Sequence, residues 1–254
     1  MREGMPSATA RGVASYRLGF ERPAAPFGDP SADDRLERDV AGSRDTEPNE
    51  RTAAYLRART AFFDRVVLAA MERNNTQVAA LGVGYDGRSL RYAMPGVRWF
   101  EVDHPITLAD KRLRLERLKI DAPGVTFVPV DLVEDSVAPA LLDSGWNPDE
   151  PSLMLAEGLT SYLEVPVLAA ILEDMRSLAG VDTRFAISAS PAARTPEDAA
   201  LQERLRASTV DLGEPVLNWL TGEQLGPMLA SARWRSVDLP EGALEAGFLL
   251  CLPV

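Results

Sequence analysis

The sequence predicts an α/β fold with a doubly wound, mostly parallel sheet, and three observations carry that expectation. Apolar runs of strand length, each bounded by turn residues, alternate with segments of helical periodicity. A glycine-rich turn follows the first of these runs, where a sheet of this class opens its ligand crevice. The chain then closes on two strands joined by a short connection, which permits only an antiparallel pair.

Taken in order, residues 21–50 carry several prolines and many charged side chains with few large apolar ones, which reads as a loop or loosely ordered lead-in. From Thr52 to Arg73, Tyr55, Phe62, Phe63, Val66, Val67 and Met71 recur at helical spacing with no Pro or Gly, so a helix precedes the first strand. Strands follow at Gln77–Leu81, Arg98–Val102, Val125–Val130, Ser152–Ala156 and Arg184–Ser188. The helical pattern of Leu108–Ile120 lies between the second and third. Crossovers of a dozen or more residues make such neighbours parallel. In the tail, Glu223–Ser231 reads as a helix, and Trp234–Leu239 and Phe248–Leu252 as strands flanking a turn at Pro240-Glu241-Gly242. Residues 51–254 are expected to form one domain, with 1–50 as a lead-in and candidate lid and 191–219 as an insertion on the substrate side.

Composition narrows the function. The 254 residues are 46% hydrophobic and 26% charged, ordinary for a folded protein. Lys and Arg number 27 against 38 Asp and Glu, a net charge of -11 that disfavours nucleic acid as a partner. One cysteine, Cys251, and one histidine, His104, exclude an intrachain disulfide and a Cys- or His-rich metal centre, and they suit a reducing cytoplasm. The N-terminus lacks the apolar core of a secretory signal, and stretches such as Val66 to Met71 fall far short of the ~20 residues a membrane span needs. The expectation is a soluble, cytoplasmic protein with no bound metal.

The most informative segment is Leu81-Gly82-Val83-Gly84-Tyr85-Asp86-Gly87-Arg88, where glycines let the backbone turn sharply and approach a ligand. Asp103, Asp131 and Glu157 each end a later strand. Ligands of open α/β sheets bind outside the carboxyl ends of the strands, so these acids and the glycine turn would face one space. Carboxylates there accept hydrogen bonds from ribose hydroxyls, an adenine amino group or an ammonium. Simpler roles compete: Asp86 and Asp103 also suit helix caps, and Asp131 a turn.

Arg59-Thr60, Leu-Gly-Val-Gly-Tyr-Asp-Gly-Arg at 81–88, Phe-Glu-Val-Asp-His-Pro at 100–105, Val-Asp-Leu at 130–132 and Ala-Glu-Gly-Leu-Thr-Ser-Tyr-Leu at 156–163 resemble the leucine carboxyl methyltransferase family. More narrowly, they resemble its actinobacterial branch of S-adenosylmethionine (SAM)-dependent O-methyltransferases. The match runs from about residue 50 to 180, with weaker similarity at Leu212-Gly-Glu-Pro-Val and in the closing hairpin. The resemblance implies a class I methyltransferase fold, a seven-stranded sheet with an antiparallel last strand, and SAM as cofactor. Arg59 would pair with the methionine carboxylate, Gly82 and Gly84 would pass beneath the amino acid part, and Asp103 would hold the ribose. Asp131 and Leu132 would bracket the adenine, and Glu157 would lie near the methionine amino group. Tyr162 would border the substrate or serve as a buried structural tyrosine, Glu101 would share the role of Asp103, and Arg11 would be the N-terminal basic residue. Arg88 and Arg91 would face solvent or bind an anionic substrate.

A carboxylate acceptor, on a small molecule or a peptide, is already a nucleophile, so methyl transfer to it needs placement more than a base, which suits a chain with one histidine. A hydroxyl acceptor would need a base, for which His104, Glu157 and Tyr162 are the candidates. The rivals are an NAD(P)-dependent oxidoreductase, whose fingerprint shares the glycine spacing, and a non-catalytic SAM-binding protein.

Overall fold

A computed structural model describes residues 5–42, 49–239 and 242–254. Pro240 and Glu241 of the expected closing turn, and residues 43–48 of the expected lead-in, lie outside the described residues. Strands β1 (Gln77–Leu81), β2 (Arg98–Asp103), β3 (Val125–Pro129), β4 (Ser152–Ala156), β5 (Thr183–Ser188), β6 (Trp234–Ser236) and β7 (Phe248–Pro253) form one sheet in the order β3-β2-β1-β4-β5-β7-β6. The first five pair in parallel, and β7 runs antiparallel to β5 and β6. β6 stops short of the expected Leu239, and residues 242–247 fold into successive turns, with Phe248 N–H donating to the Ala243 carbonyl.

Side chains alternate across the sheet as the two-residue strand period requires. Val78, Ala80, Trp99, Leu153 and Leu155 pack against Phe62, Phe63, Val67 and Met71 of helix α3 (Glu50–Glu72), which Asn49 caps by accepting from Thr52 N–H. Ala79, Leu81, Phe100, Met154 and Phe185 meet the opposite layer, made of α6 (Val137–Asp143), α7 (Val165–Ser177) and α9 (Gly222–Ser231).

The lead-in is not a loop throughout. Helices α1 (Ala8–Arg17) and α2 (Pro30–Ala41) bury Ala14, Ala32, Leu36 and Val40 against Tyr85, Leu90 and Leu115, the last two from α4 (Arg88–Arg91) and α5 (Pro105–Leu118). Asp29 caps α2 by accepting from Ser31 and Ala32, and Pro30 takes the first helical position. The expectation of a loop over 21–50 fails here because two of the six buried residues of α2 are acids. Asp33 and Glu37 share that face with Leu36 and Val40, and Arg22 pairs with both acids. A hydropathy pattern counts those acids as exposed. The 191–219 stretch contains α8 (Pro196–Asp211), opened by a reciprocal Thr195/Asp198 capping box, with only Thr209 buried.

If this packing holds α2, Leu36→Ala, at a fully buried site, is expected to cost about 2–5 kcal/mol. Leu113→Ala, on a side chain 64% exposed, should change stability by no more than about 0.5 kcal/mol. Urea unfolding followed by circular dichroism measures both.

Candidate active site

Sheet register brings the predicted acids to one level. Leu81 lies opposite Val102 on one side and Ala156 on the other, so Gly82, Asp103 and Glu157 leave the sheet side by side. The strand order reverses between β1 and β4, and ligands of open α/β sheets enter at such a reversal. Gly82 and Gly84 have φ of 58° and 52°, the left-handed region a Cβ disfavours. A Cβ on Gly82 would lie 2.9 Å from Leu159 Cδ1, and one on Gly84 2.7 Å from Ala10 Cβ. The turn is thus pressed between the segment after β4 and α1.

Asp103 takes two backbone donors, Gly84 N–H at 2.6 Å and His104 N–H at 2.7 Å. Burial raises its carboxyl above the ordinary value, and these two N–H groups oppose the rise. Its carboxylate therefore fixes the spacing between the glycine turn and the end of β2.

Glu157 sits among guanidinium groups. Its Oε1 accepts from Arg17 at 2.8 Å and Arg59 at 3.0 Å, and its Oε2 from Arg88 at 2.5 Å. Burial alone would raise this carboxyl, but Arg88, Arg17 and Arg59 hold it down to about 2. Asp86 joins the cluster, pairing with Arg88 and with Arg17 at 3.5 Å, and its Oδ1 also accepts Arg88 N–H at 2.8 Å. The local bond to the N–H at the start of α4 is close to the capping role expected of Asp86, and its ion pairs with Arg88 and Arg17 are additional to it.

Elsewhere the structure sorts the expected residues differently. Arg88 and Arg91 are buried, not solvated, and their charges are spent internally. Arg88 binds Asp64 at 2.7 Å and the Thr60 carbonyl at 3.1 Å, and Arg91 binds Asp33 at 2.6 Å and also Asp34. Glu101, 1% exposed, faces Lys111 and Ser89, so it does not share the role of Asp103. Arg11 lies beside Tyr85 and Asp110; the N-terminal arginine that reaches the strand ends is Arg17.

His104 caps α5, its Nδ1 accepting from Ile106 N–H at 3.2 Å, and its Nε2 lies 3.7 Å from Asp131. Asp131 also makes the turn expected of it, accepting from Val133 N–H at 3.0 Å, and Leu132 packs against the core. Tyr162 belongs to a single 3-10 turn, Thr160–Tyr162, ahead of α7. Burial raises its phenol, with Arg59 and Thr9 acting against that. At neutral pH it is a neutral donor.

Helix α1 spans this region. Glu214 accepts from Ala8 N–H at 2.7 Å, Thr9 N–H at 3.1 Å and Ser7 Oγ at 3.0 Å, holding the helix start. Ala10 covers Gly84 and Arg17 meets Glu157. A cavity of about 300 Å³ lies apart from the strand ends, between α3 and β7. Arg17, Glu214, Asp64 and Lys111 were not singled out from the sequence. Their partners lie 19 or more residues away along the chain in most cases, and no local spacing announces them; only the Leu212-Gly-Glu-Pro-Val similarity pointed toward Glu214.

This topology and the acids along its crevice define the protein class: a class I methyltransferase fold. A DUF574-family protein from Streptomyces avermitilis, 14% identical, shares that architecture at a TM-score of 0.64 over 98% of both chains. So does the magnesium protoporphyrin IX methyltransferase of Synechocystis with bound S-adenosylhomocysteine, 14% identical, at 0.55 over 86% of this chain and 93% of that one. Residues 20–176 match the leucine carboxyl methyltransferase family, and the chain belongs to it. A Mycolicibacterium gilvum protein provisionally named as a SAM-dependent methyltransferase is 33% identical over 227 residues, 85% of this chain and 73% of its own length. A similarly named Parafrankia protein is 39% identical over 155 residues, 58% of this chain and 48% of its own. The chain spans about half to two thirds of the first curated relatives it matches.

The buried carboxyls set opposite pH dependences. Glu157 is held near 2, below its ordinary 4.5, so its contribution to stability is present above pH 4.5 and is lost as pH falls toward 2. Burial, and then Asp33, push Glu37 up to about 8, so its contribution is present below pH 4.5 and is lost as pH rises to 8. Melting temperature measured against pH is expected to fall on both limbs. Glu37→Gln should flatten the limb between 4.5 and 8 and leave the acid limb in place.

Proposed function

We propose that this chain is a SAM-dependent methyltransferase whose acceptor is a carboxylate on a small molecule or a peptide. The observation that carries the reading is the common level of Gly82, Asp103 and Glu157, with Arg17 and Arg59 converging on Glu157. These residues fit the cofactor. Arg59 and Arg17 converge on Glu157 in the crevice, so Arg59 would be the principal partner of the methionine carboxylate and Glu157 would lie near the amino group. Gly82 and Gly84 would pass beneath the amino acid part, Asp103 would hold the ribose hydroxyls, and Asp131 and Leu132 would flank the adenine. When bound, the cofactor supplies an electrophilic sulfonium methyl.

The chain's own contribution is placement. A carboxylate needs no base, and alignment with the methyl supplies up to about 7–11 kcal/mol of barrier lowering. The residues considered as bases favour this version over a hydroxyl acceptor. His104 has its Nδ1 committed to capping α5, Tyr162 keeps its proton, and Glu157 is engaged by three arginines. Tyr162, beside Arg59 and Thr9, would donate a hydrogen bond at the acceptor side. Residues 1–50 would act as a lid through α1, with 191–219 forming the facing wall. No helix among the described residues is long and apolar enough to cross a membrane, and with a single cysteine the reading extends to action in the cytoplasm. The nicotinamide rival shares the glycine spacing and an acid about 20 residues on, Asp103, but not the later acids Asp131 and Glu157 or the antiparallel ending.

Incubation with methyl-labelled SAM and a panel of carboxylic acids is expected to yield a labelled ester that hydroxylamine cleaves; an alkali-stable ether would reject the carboxylate acceptor. Asp103→Ala is expected to lose at least about a hundredfold in SAM affinity by calorimetry with its circular dichroism unchanged, about 2.8 kcal/mol at tenfold per 1.4. Unaltered affinity would remove Asp103 from the cofactor site.

A further inference from the structure

Lys111 is a buried ammonium, 1% exposed, on the second turn of α5. Its Nζ donates to Glu101 Oε2 at 2.6 Å and to the Asp86 carbonyl oxygen at 2.6 Å. The other oxygen of Glu101 accepts from Ser89 Oγ at 2.5 Å. Three pieces of chain are thus tied at one point: α5, β2, and the segment running from the glycine turn into α4. Glu101 and Asp103 lie two residues apart on one strand and share its face. Asp103 grips the near end of the turn at Gly84, and Lys111 with Glu101 grips its far end at Asp86 and Ser89. An apolar side chain would fill the same space without desolvating a charge. What the ammonium adds is a hydrogen bond to a backbone carbonyl of the turn itself.

We infer that Lys111 is a positioning residue for the adenosyl end of the cofactor site, setting the separation between the glycine turn and the Asp103 carboxylate. The inference rests on the cofactor reading above. Lys111 touches no ligand; it acts through the Asp86 carbonyl and Glu101, so its loss relaxes the turn away from Asp103 and weakens whatever depends on that spacing. Adenosine carries this dependence without the methionine group, whereas Glu157 with Arg17 and Arg59 would serve the methionine end.

The test compares the full chain with the double variant Lys111→Met/Glu101→Gln, which removes both charges together and so leaves no unpaired ion buried. Melting temperature reports the fold, and calorimetric titration with S-adenosylhomocysteine and, separately, with adenosine reports the site. The expected result is a melting temperature within a few degrees of the parent, with both affinities reduced about tenfold or more by the same factor. Glu157→Gln is expected to weaken S-adenosylhomocysteine and leave adenosine unchanged. If the double variant does not fold, Lys111→Arg keeps the charge while displacing the donor from the Asp86 carbonyl, and the same loss of adenosine affinity is expected. Folded variants that bind both ligands as the parent does would overturn the positioning role and leave the cofactor reading standing. A parent chain that binds neither ligand would overturn both.

Discussion

The structure depends on how one desolvated carboxylate is neutralised. Glu157 leaves β4 at the point where the strand order reverses, and Arg17, Arg59 and Arg88 meet it there. Removing one member of a buried ion pair typically costs about 3–5 kcal/mol, because the partner is left charged in a poor solvent. The cluster is therefore an obligation that recruits α1 and α3 to the sheet. Arg88 passes the requirement outward to Asp64, which Arg22 also binds, and Arg22 with Arg91 carries it to Asp33 on α2. A chain of alternating charges thus connects the crevice to the N-terminal helices.

That connection explains why residues 5–42 pack as they do. Few large apolar side chains are available there, yet α1 and α2 bury Ala14, Ala32, Leu36 and Val40 alongside ionic contacts that supply the remaining specificity. Helix α1 is held at its start by Glu214 and at its end by Arg17, which meets Glu157, so two parts of the chain far apart in sequence pull on the same element.

The sheet was legible in the sequence because apolar strand runs and turn residues are local signals; β1 and β4 have the boundaries read from the sequence, and the acids after them follow from register. The antiparallel ending was legible from the short distance between Trp234 and Phe248, although residues 242–247 fold into turns. The ionic layer was not legible. Arg88 and Arg91 have the composition of a solvated helix face, and only the distant acids Asp33, Asp64 and Glu157 make burial acceptable. Nor does the sequence say which arginine of α1 its packing turns toward Glu157: Arg17 reaches it, while Arg11 lies beside Tyr85 and Asp110.

The most direct measurement is a crystal structure of the chain with S-adenosylhomocysteine. The account predicts ribose hydroxyls on Asp103, adenine beside Leu132, and the homocysteine carboxylate on Arg59 with its amino group toward Glu157. Ligand density away from the carboxyl ends of β1 and β4, or ribose hydroxyls that leave Asp103 bonded to Gly84 and His104 alone, would contradict it.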